Sequence, residues 1–189
     1  MRELVKSTLE EHRLVVAKMT ALEGEIASAG ELCGTALARG QRIYLCGNGG
    51  SAADAQHIAA ELIGRFVHER RALPAIALTT DTSALTAIGN DYGYDAVFSR
   101  QVEGLCREGD VLIAISTSGS SSSVLAACEQ AQALGCEVVG LTGRDGGALK
   151  TCCETAVIAP ADDTAHIQEC HIVMVHLLCA LIEQGLELA

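Results

Sequence analysis

The sequence has no tryptophan and few aromatic residues: three tyrosines and two phenylalanines, together 3% of its 189 residues. A core without large rings has to be built mainly from Ala, Val, Leu and Ile, which is typical of layered α/β proteins. Hydrophobic residues still make up 49% of the chain. At this length, that content predicts one folded domain with a sizeable core and argues against disorder.

Positive charge is also scarce, because 13 Lys and Arg residues face 24 Asp and Glu residues, a formal net charge of −11. This balance disfavours nucleic acid and anionic membranes as partners, since both require a basic surface. No uncharged apolar run reaches about 18 residues, and charges from Glu3 to Arg13 interrupt the place where a signal peptide would have its apolar segment. We therefore expect a cytoplasmic protein that binds no membrane.

Cysteine, by contrast, is abundant. The nine cysteines occupy positions 33, 46, 106, 128, 136, 152, 153, 170 and 179. Their number is odd, no C-x-x-C motif occurs and most lie in apolar stretches, which indicates reduced, buried thiols rather than disulfides. Cys152 and Cys153 are the pair most open to a redox or metal role, although adjacent cysteines rarely satisfy disulfide geometry.

The first 40 residues have helical patterns. Apolar residues recur at three- and four-residue steps and predict one long helix over 1–28, which Gly30 ends, followed by a short helix over 31–38. The apolar face of the long helix must pack against something. It either packs on its own domain or forms a helix-bundle contact between subunits.

From residue 41 onward, predicted strands and helices alternate. The strands are 42–46, 74–79, 110–115, 136–141 and 155–159, and the helices are 51–64, 81–89, 94–106, 121–134, 145–152 and 164–186. Continuously apolar strands are covered on both faces. The alternation therefore predicts a three-layer α/β fold with a five-stranded parallel sheet flanked by helices. We treat 1–189 as a single domain, in which 1–40 serve packing and oligomerisation and 41–189 form the α/β core.

A glycine turn follows the first predicted strand and leads into a helix. Asn48, Gly49 and Gly50 precede Ser51, where the helix is predicted to start. Glycines let a ligand approach main-chain N–H groups and the helix dipole favours negative charge, so the turn can hold a polar or anionic ligand. It is neither the dinucleotide pattern G-x-G-x-x-G nor a P-loop, because no Gly-Lys-Ser/Thr follows.

A serine-rich loop, residues 116–123, lies between the third predicted strand and a helix. A flexible linker would have the same composition, but linkers do not connect a buried strand to a helix within a compact domain. Hydroxyl groups and helix-terminal N–H groups suit a phosphate monoester. Both loops follow strand carboxyl ends and can face one crevice. The intervening polar turn at Asn90 and Asp91 either only connects elements or reaches a ligand hydroxyl.

Two helices carry groups suited to catalysis. His57 and Glu61, four residues apart, share a helix face, where they would bind a divalent metal, act as an acid/base pair or serve only the surface. Gln168 and His176 lie about 80° apart around the last helix and can project to one side. A lone His on an apolar helix is, however, usually a hydrogen-bonded core residue. Three further residues are interpreted as structural or surface groups: Arg65, His166 and His171.

Together these motifs resemble the sugar isomerase (SIS) domain family. The matching stretches are, in order, 47–57, 61–65, 89–93, 116–119, 141–143 and 167–169. They extend over almost the whole chain, and within the family they are most similar to isomerases of sedoheptulose 7-phosphate. The resemblance implies a flavodoxin-like SIS domain with a long N-terminal helix. It also implies a homotetramer with active sites at subunit interfaces.

The implied reaction is the aldose–ketose isomerisation of sedoheptulose 7-phosphate to D-glycero-D-manno-heptose 7-phosphate, in bacterial heptose biosynthesis for lipopolysaccharide or other surface glycans. The resemblance implies that the following residues bind the substrate: Asn48, Gly49, Gly50, Glu61, Asn90, Asp91, Ser116, Thr117, Ser118, Ser121 and Gln168. It also implies that each subunit binds one Zn²⁺ through His57, Glu61, Gln168 and His176. Glu61 and His176 also match the acid/base pair.

The chemistry of these side chains agrees with the resemblance. Moving a carbonyl group to the adjacent carbon proceeds through an enediol and needs two groups that transfer protons, for which a carboxylate and an imidazole are suitable. A mixed His, Glu and Gln ligand set favours a catalytic metal over a structural one. One position departs from the family pattern, because Ala165 stands where other versions carry Asp, and no role of that Asp transfers.

Two other functions compete with an isomerase. One is a regulatory protein without catalytic activity, resembling the initiator-associating protein of bacterial replication, but such relatives lack the histidine that this chain retains as His176. The other is a sugar-phosphate sensor without turnover, which would keep the serine loop but would not need Glu61 and His176 as a pair.

Overall fold

Five parallel strands form a single sheet in the computed structural model, which describes residues 1–187. The strands are β1 Ile43–Gly47, β2 Ala75–Ala77, β3 Val111–Ile115, β4 Glu137–Gly143 and β5 Thr155–Ala159, in the spatial order β2-β1-β3-β4-β5. This order confirms the predicted five-stranded parallel sheet. The chain moves from one side of β1 to the other between β2 and β3, so the crevice expected for ligand binding lies beyond the ends of β1 and β3.

The described chain contains seven helices. They are α1 Arg2–Lys18, α2 Glu23–Ala38, α3 Gly50–Ile63, α4 Thr82–Tyr92, α5 Ser99–Leu105, α6 Ser122–Ala133 and α7 Thr164–Glu187. Three short 3₁₀ turns lie at Met19–Leu22, Tyr94–Ala96 and Ala148–Thr151.

Alternating side chains of the strands divide the core into two layers. Ile43 and Leu45 of β1 pack in the layer that contains α2, α3 and α7. Tyr44 and Cys46, which point the other way, pack with α5 and α6. Because side chains alternate between the faces of a strand, each central strand is buried on both sides. The predicted three-layer architecture is confirmed.

The prediction for the first helix was wrong about where it ends. A 3₁₀ turn at Met19–Leu22 interrupts the stretch predicted as one helix over 1–28, and Gly30 lies inside α2 instead of ending a helix. The reason is packing: a Cβ atom on Gly30 would lie 2.7 Å from the Cβ of Leu181 in α7. Gly30 therefore allows close contact between α2 and α7.

Three other boundaries also differ from the predictions. Strand β2 is limited to three residues of the predicted 74–79, because it is an edge strand and Ile76 is 42% exposed. The predicted helix 94–106 is a 3₁₀ turn followed by α5. The predicted helix 145–152 is only a 3₁₀ turn, since Gly146 and Gly147 have φ angles of +91° and +54°, in the left-handed region that a right-handed helix does not use.

Helix α7 is a core helix of this fold. Its stretch Thr164–Leu186 is long and apolar enough to cross a membrane by length and composition, but half of the relevant window is buried inside the structure. His171 is fully buried in it and its Nε2 lies 3.0 Å from the carbonyl oxygen of Thr142 in β4. Burial lowers the pKa of His171, which favours the neutral ring. The interpretation of His171 as structural is confirmed.

All nine cysteines, which lie in the described part of the chain, are free thiols, and seven of them are buried. Burial raises the pKa of Cys33 and Cys46 to about 12, so both are protonated and unreactive at neutral pH. Cys152 and Cys153 are partly exposed, and the Cys153 thiol donates to the carbonyl oxygen of Leu149 at 3.0 Å. The prediction that most of the cysteines are buried is confirmed, and their reduced state stays a prediction.

The contact at Gly30 predicts opposite effects for two glycines of α2. Replacing Gly24, which has nothing within 4 Å of an added Cβ, by alanine should stabilise the protein by up to about 1 kcal/mol, because alanine is the better helix former. Gly30→Ala should destabilise it by about 1–3 kcal/mol, because Leu181 must move. Urea unfolding measures both. Equal stabilisation by the two alanines would show that α2 and α7 are not packed this closely.

Candidate active site

The glycine turn after β1 has a conformation that depends on its glycines. Gly49 has φ +59° and ψ −120° and precedes the first residue of α3. A Cβ atom on Gly50 would overlap the side-chain amide of Gln168 from α7. The absence of side chains at these positions therefore lets the amide of Gln168 reach the N-terminus of α3.

Asn48 connects this turn to two other segments. Its Nδ2 donates to the hydroxyl of Ser123 at 3.0 Å, and its Oδ1 accepts from the hydroxyl of Tyr94 at 2.8 Å. Ser123 is in the first turn of α6, and Tyr94 follows α4. Sequence reasoning missed Tyr94, and it included Ser123 in the serine loop without its contact to Asn48, because neither partner is close to Asn48 along the chain.

The serine loop is ordered by a contact within it and by contacts with the segment around Gly146. Ser116 and Ser121 have their hydroxyl oxygens 3.1 Å apart, at the end of β3 and the start of α6. Gly119 has φ +64°, and a Cβ there would overlap the carbonyl oxygen of Gly146. The carbonyl of Gly119 accepts from the N–H of Leu149 at 2.9 Å. A loop packed in this way is not a flexible linker.

The two loops lie side by side. Gly47 and Ile115, the last residues of β1 and β3, are paired in the sheet, so the segments that follow them leave from the same point on its edge. The hydrogen bond from Asn48 to Ser123 then joins the two loops directly. Backbone N–H groups at the starts of α3 and α6, together with serine hydroxyls, surround one polar crevice that suits a phosphate group.

The prediction that Asn90 and Asp91 form a connecting turn was wrong. Both residues belong to the C-terminal end of helix α4, which ends at Tyr92. The chain reverses at Gly93, whose φ of +87° is in the left-handed region. Both side chains are exposed, and the amide of Asn90 donates to Asp91 at 2.7 Å. The segment connects α4 to Tyr94, which contacts the glycine turn.

His57, Glu61 and His176 form a cluster between α3 and α7. The Nε2 atoms of His57 and His176 are 3.0 Å apart, and Nε2 of His57 is 3.7 Å from Oε1 of Glu61. The two rings meet edge to face with centroids 5.2 Å apart. Residues 119 positions apart in sequence are thus brought into direct contact. The side chains of His57 and Glu61 are 43% and 26% exposed, so the cluster is open to a ligand.

This donor set fits a divalent metal ion. Two ring nitrogens that face each other cannot both carry a proton in the gap between them, so they either share one proton or both direct lone pairs at a cation. Imidazole and carboxylate are preferred ligands of zinc. Gln168 is the one predicted ligand that lies elsewhere: its amide is beside Gly50, seven residues before His57 and so about 10 Å away along α3.

Comparison with known proteins places this geometry in a family. The model of the SIS domain matches residues 9–143. The chain belongs to the SIS domain family.

Relatives of this SIS domain are similar over nearly their full length. A phosphoheptose isomerase from a Nitratiruptor species is 56% identical over 98% of this chain and 100% of its own. One from Campylobacter jejuni subsp. jejuni serotype O:6 is 54% identical over 98% and 100%. The solved structure of phosphoheptose isomerase from Neisseria gonorrhoeae has a TM-score of 0.91 at 45% identity, and covers 97% of this chain and 98% of its own.

The SIS domain also contains a buried ion pair behind its histidine cluster. Glu183 of α7 is 1% exposed, and its carboxylate accepts from the backbone N–H groups of Phe66, Val67 and His68 at 2.9–3.0 Å. Nε of Arg70 donates to the same carboxylate at 2.9 Å. Glu183 therefore fixes the segment that follows α3.

This segment places an aromatic ring against the cluster. Phe66 stacks on His176 with ring centroids 5.4 Å apart and an interplanar angle of 22°. Arg70 also donates to the carbonyl oxygens of Glu61 and Leu62 at 2.9 Å, at the end of α3. The apolar ring and these hydrogen bonds limit how far His176 and α3 can move. Sequence reasoning missed Phe66 and Glu183, whose roles depend on contacts more than 100 residues apart.

Asp54 and Arg65, two ionisable residues of the segment around the cluster, differ in their exposure to solvent. Asp54 is 7% exposed, and its Oδ2 has no hydrogen-bond partner among the described residues. Burial raises the pKa of this carboxyl group, although nearby His57 opposes the shift. Arg65 lies on the surface and pairs with Glu69 at 3.6 Å, as its interpretation as an ion-paired surface group predicts.

The Glu183 contacts predict a pH-dependent contribution to stability. Burial acts to raise the pKa of Glu183, but hydrogen bonds from three backbone N–H groups and the charge of Arg70 outweigh it, so the pKa lies below its ordinary value of 4.5. A lowered folded pKa means that the stabilisation is present above pH 4.5 and is lost as the pH falls through the folded value. Glu183→Gln should cost about 3 kcal/mol near neutral pH, because Arg70 loses its buried partner.

Urea unfolding of parent and variant from pH 7 down to about pH 3 measures this contribution. The difference between their free energies of unfolding should stay constant above pH 4.5 and narrow below it. Glu103→Gln is the control, because its ion pair with Arg100 is about half exposed and should be worth less than about 1 kcal/mol. A stability difference for Glu183→Gln that is no larger than the control's at pH 7 would contradict the role assigned to Glu183.

Proposed function

We propose that this chain is a phosphoheptose isomerase, which converts sedoheptulose 7-phosphate to D-glycero-D-manno-heptose 7-phosphate. The observation that carries the proposal is that His57 contacts both Glu61 and His176, in a chain that matches enzymes of this name from end to end. The reaction belongs to bacterial heptose biosynthesis for lipopolysaccharide or other surface glycans.

The phosphate group is bound by the polar crevice beyond β1 and β3. Ser116, Thr117, Ser118 and Ser121 surround it with hydroxyl and N–H groups, and Asn48, Gly49 and Gly50 bind the sugar from the neighbouring turn. No fixed positive charge is needed, because the N-termini of α3 and α6 favour an anion. Asn90, Asp91 and Gln168 complete the proposed substrate-binding set.

Glu61 and His176 transfer the protons. In the ketose the carbonyl is at C2, so a base must remove a proton from C1 to give the enediol, and an acid must then protonate C2 while the hydroxyl proton moves from O1 to O2. We assign the base to the Glu61 carboxylate and the acid to the His176 imidazole. Phe66, stacked on His176, excludes water from one side of the ring.

One Zn²⁺ per subunit is proposed at His57, Glu61, Gln168 and His176. When bound, the ion supplies Lewis-acid stabilisation of the charge that develops on the enediolate oxygen. His57 and His176 already direct Nε2 toward each other, whereas Gln168 would have to move its side chain away from Gly50 to join them. The three side chains of the cluster also orient one another in the absence of metal.

A regulatory protein without catalytic activity is not favoured. Such relatives lack the histidine that corresponds to His176, whereas here His176 contacts His57 and stacks on Phe66. A sugar-phosphate sensor needs only the serine loop, and the cluster between α3 and α7 would then have no role.

Turnover of sedoheptulose 7-phosphate tests the function. The parent protein should form the aldose, and Glu61→Gln and His176→Gln should each lower kcat by about 10²–10⁴-fold, the usual contribution of a general acid or base. Product formation is measured with zinc and with chelator. Glu69→Gln is the matched control, because this exposed carboxylate pairs only weakly with Arg65 and should leave kcat unchanged. Undiminished turnover in both active-site variants would exclude the proposed roles.

The enzyme is further proposed to be a cytoplasmic homotetramer that binds neither nucleic acid nor membrane. Its N-terminal part, residues 1–40, contributes to assembly, and residues 41–189 form the catalytic core. Two observations support the assembly. Leu4, Val5 and Leu9 of α1 are 59–70% exposed, and an apolar groove lies where α2 meets α7. The groove is lined by Val16, Met19, Ile26, Val173, Leu177 and Leu181 among others.

Charged substitutions in these helices should therefore dissociate the tetramer. Leu9→Glu and Leu177→Glu place a carboxylate in the proposed contact, where an unpaired charge is costly to bury. Sedimentation velocity should show a shift from tetramers to smaller species for both variants. Leu105→Glu, on the other side of the sheet and similarly exposed at 45%, should remain tetrameric. A parent protein that sediments as a monomer would refute the assembly.

A further inference from the structure

Helices α1 and α7 share a second cluster of histidine and carboxylate side chains, separate from the candidate active site. Nδ1 of His12 in α1 lies 2.6 Å from Oε2 of Glu169 in α7, and Nδ1 of His166 lies 2.9 Å from the same oxygen. The three donor atoms all lie within 4.8 Å of one another. Sequence reasoning interpreted His166 as structural or surface and gave His12 and Glu169 no role.

The donors belong to residue types and spacings that bind transition metals. His166 and Glu169 are three residues apart on α7, which places both side chains on one face of the helix. His12 approaches that face from α1. Two imidazoles and one carboxylate make a three-residue zinc set of the kind that leaves a fourth position open for water. Such nitrogen and oxygen donors favour zinc and its neighbours over calcium or magnesium.

The other nitrogen of His166 supports this interpretation independently. While Nδ1 faces the cluster, Nε2 lies 3.6 Å from Oε2 of Glu11, an ion-pair distance. Metal-bound histidines almost always direct their second N–H at a carboxylate or carbonyl group, which fixes the ring and raises its basicity. His166 is also the least exposed member, with a side chain 12% exposed against 39% for His12 and 41% for Glu169. One ligand is thus largely buried, with a carboxylate near its second nitrogen, and the cluster is accessible from solvent.

We propose that His12, His166 and Glu169 bind a divalent transition metal such as zinc, and that this ion joins α1 to α7. The site does not depend on the proposed isomerase activity. His166 and His176 are ten residues apart, about 15 Å along α7, so the same ion cannot serve both clusters. The chain therefore has two separate metal sites if zinc also binds at the active site.

The metal has a structural consequence for α1. Within the described chain, α1 has no buried residue, so few apolar contacts hold it against the domain. A ligand from α1 and two from α7 would fix the position of α1 where packing alone does not. Without metal, the same three groups are joined by hydrogen bonds in which protons occupy the nitrogen-to-oxygen gaps. Metal and proton are thus alternative occupants of this cluster.

Zinc binding to the chelator-treated, full-length protein tests the proposal. After dialysis against buffered Zn²⁺, bound zinc per chain is measured by atomic absorption for four proteins: the parent, His12→Gln/His166→Gln, His57→Gln/His176→Gln, and the variant with all four changes. The second protein should bind one zinc fewer than the parent. The His57→Gln/His176→Gln protein should still bind one zinc, and the variant with all four changes should bind none.

Single variants and a second measurement exclude a folding defect. His12→Gln, on the exposed helix α1, leaves the core untouched and should weaken zinc binding by at least about tenfold, since even an indirect partner of a ligand contributes that much. Zinc should raise Tm in the His57→Gln/His176→Gln background but not after His12→Gln is added. Glu10→Gln, an exposed carboxylate of α1 bonded to Arg13, is the matched control and should bind like the parent.

The outcomes separate this site from the proposed catalytic zinc. The second site would be overturned if the His57→Gln/His176→Gln protein lost zinc while the His12→Gln/His166→Gln protein bound as much zinc as the parent. The cluster of His12, His166 and Glu169 would then be held by hydrogen bonds alone. Loss only on changing His12 and His166 would support the second site and count against metal at the active site.

Discussion

The close approach of α7 to α2 and α3 is the constraint on which the rest of the structure depends. Two glycines permit it: Gly30 leaves room for Leu181, and Gly50 leaves room for Gln168. Because helices packed at such distances have fixed register, the contact also determines which residue of α7 faces which residue of α3. His176 faces His57 for this reason, and the cluster is a consequence of helix packing rather than of local sequence.

Sheet topology supplies the other half of the site. The pairing of β1 with β3 brings the glycine turn and the serine loop together, although Asn48 and Ser123 are 75 positions apart. Asn48 then joins the loops by accepting from Tyr94 and donating to Ser123. The polar crevice and the histidine cluster thus lie at different points along one helix, α3, which holds both at a fixed separation.

The sequence was sufficient for the elements whose signal is local. Apolar runs such as 111–115 identified the strands, and the glycine turn and serine loop identified the edge of the sheet where the candidate site lies. Positions whose role arises from distant contacts could not be predicted. Glycine is common at helix ends, but Gly30 lies inside α2 and makes room for Leu181. Glu183 resembles an ordinary surface carboxylate in sequence, although its carboxylate accepts hydrogen bonds from four donors. Asn90 and Asp91 have the chemistry of turn residues, but α4 extends through them.

The position of α7 in the chain has a consequence for synthesis on the ribosome. His176 and the carboxylate that anchors the Phe66 segment both come from this last helix, whereas their partners are made more than 100 residues earlier. A nascent chain therefore has the residues of both loops before it has either the contact between the two histidines or the ordered segment behind them. The side chains proposed to act on a sugar phosphate meet only after α7 has been made.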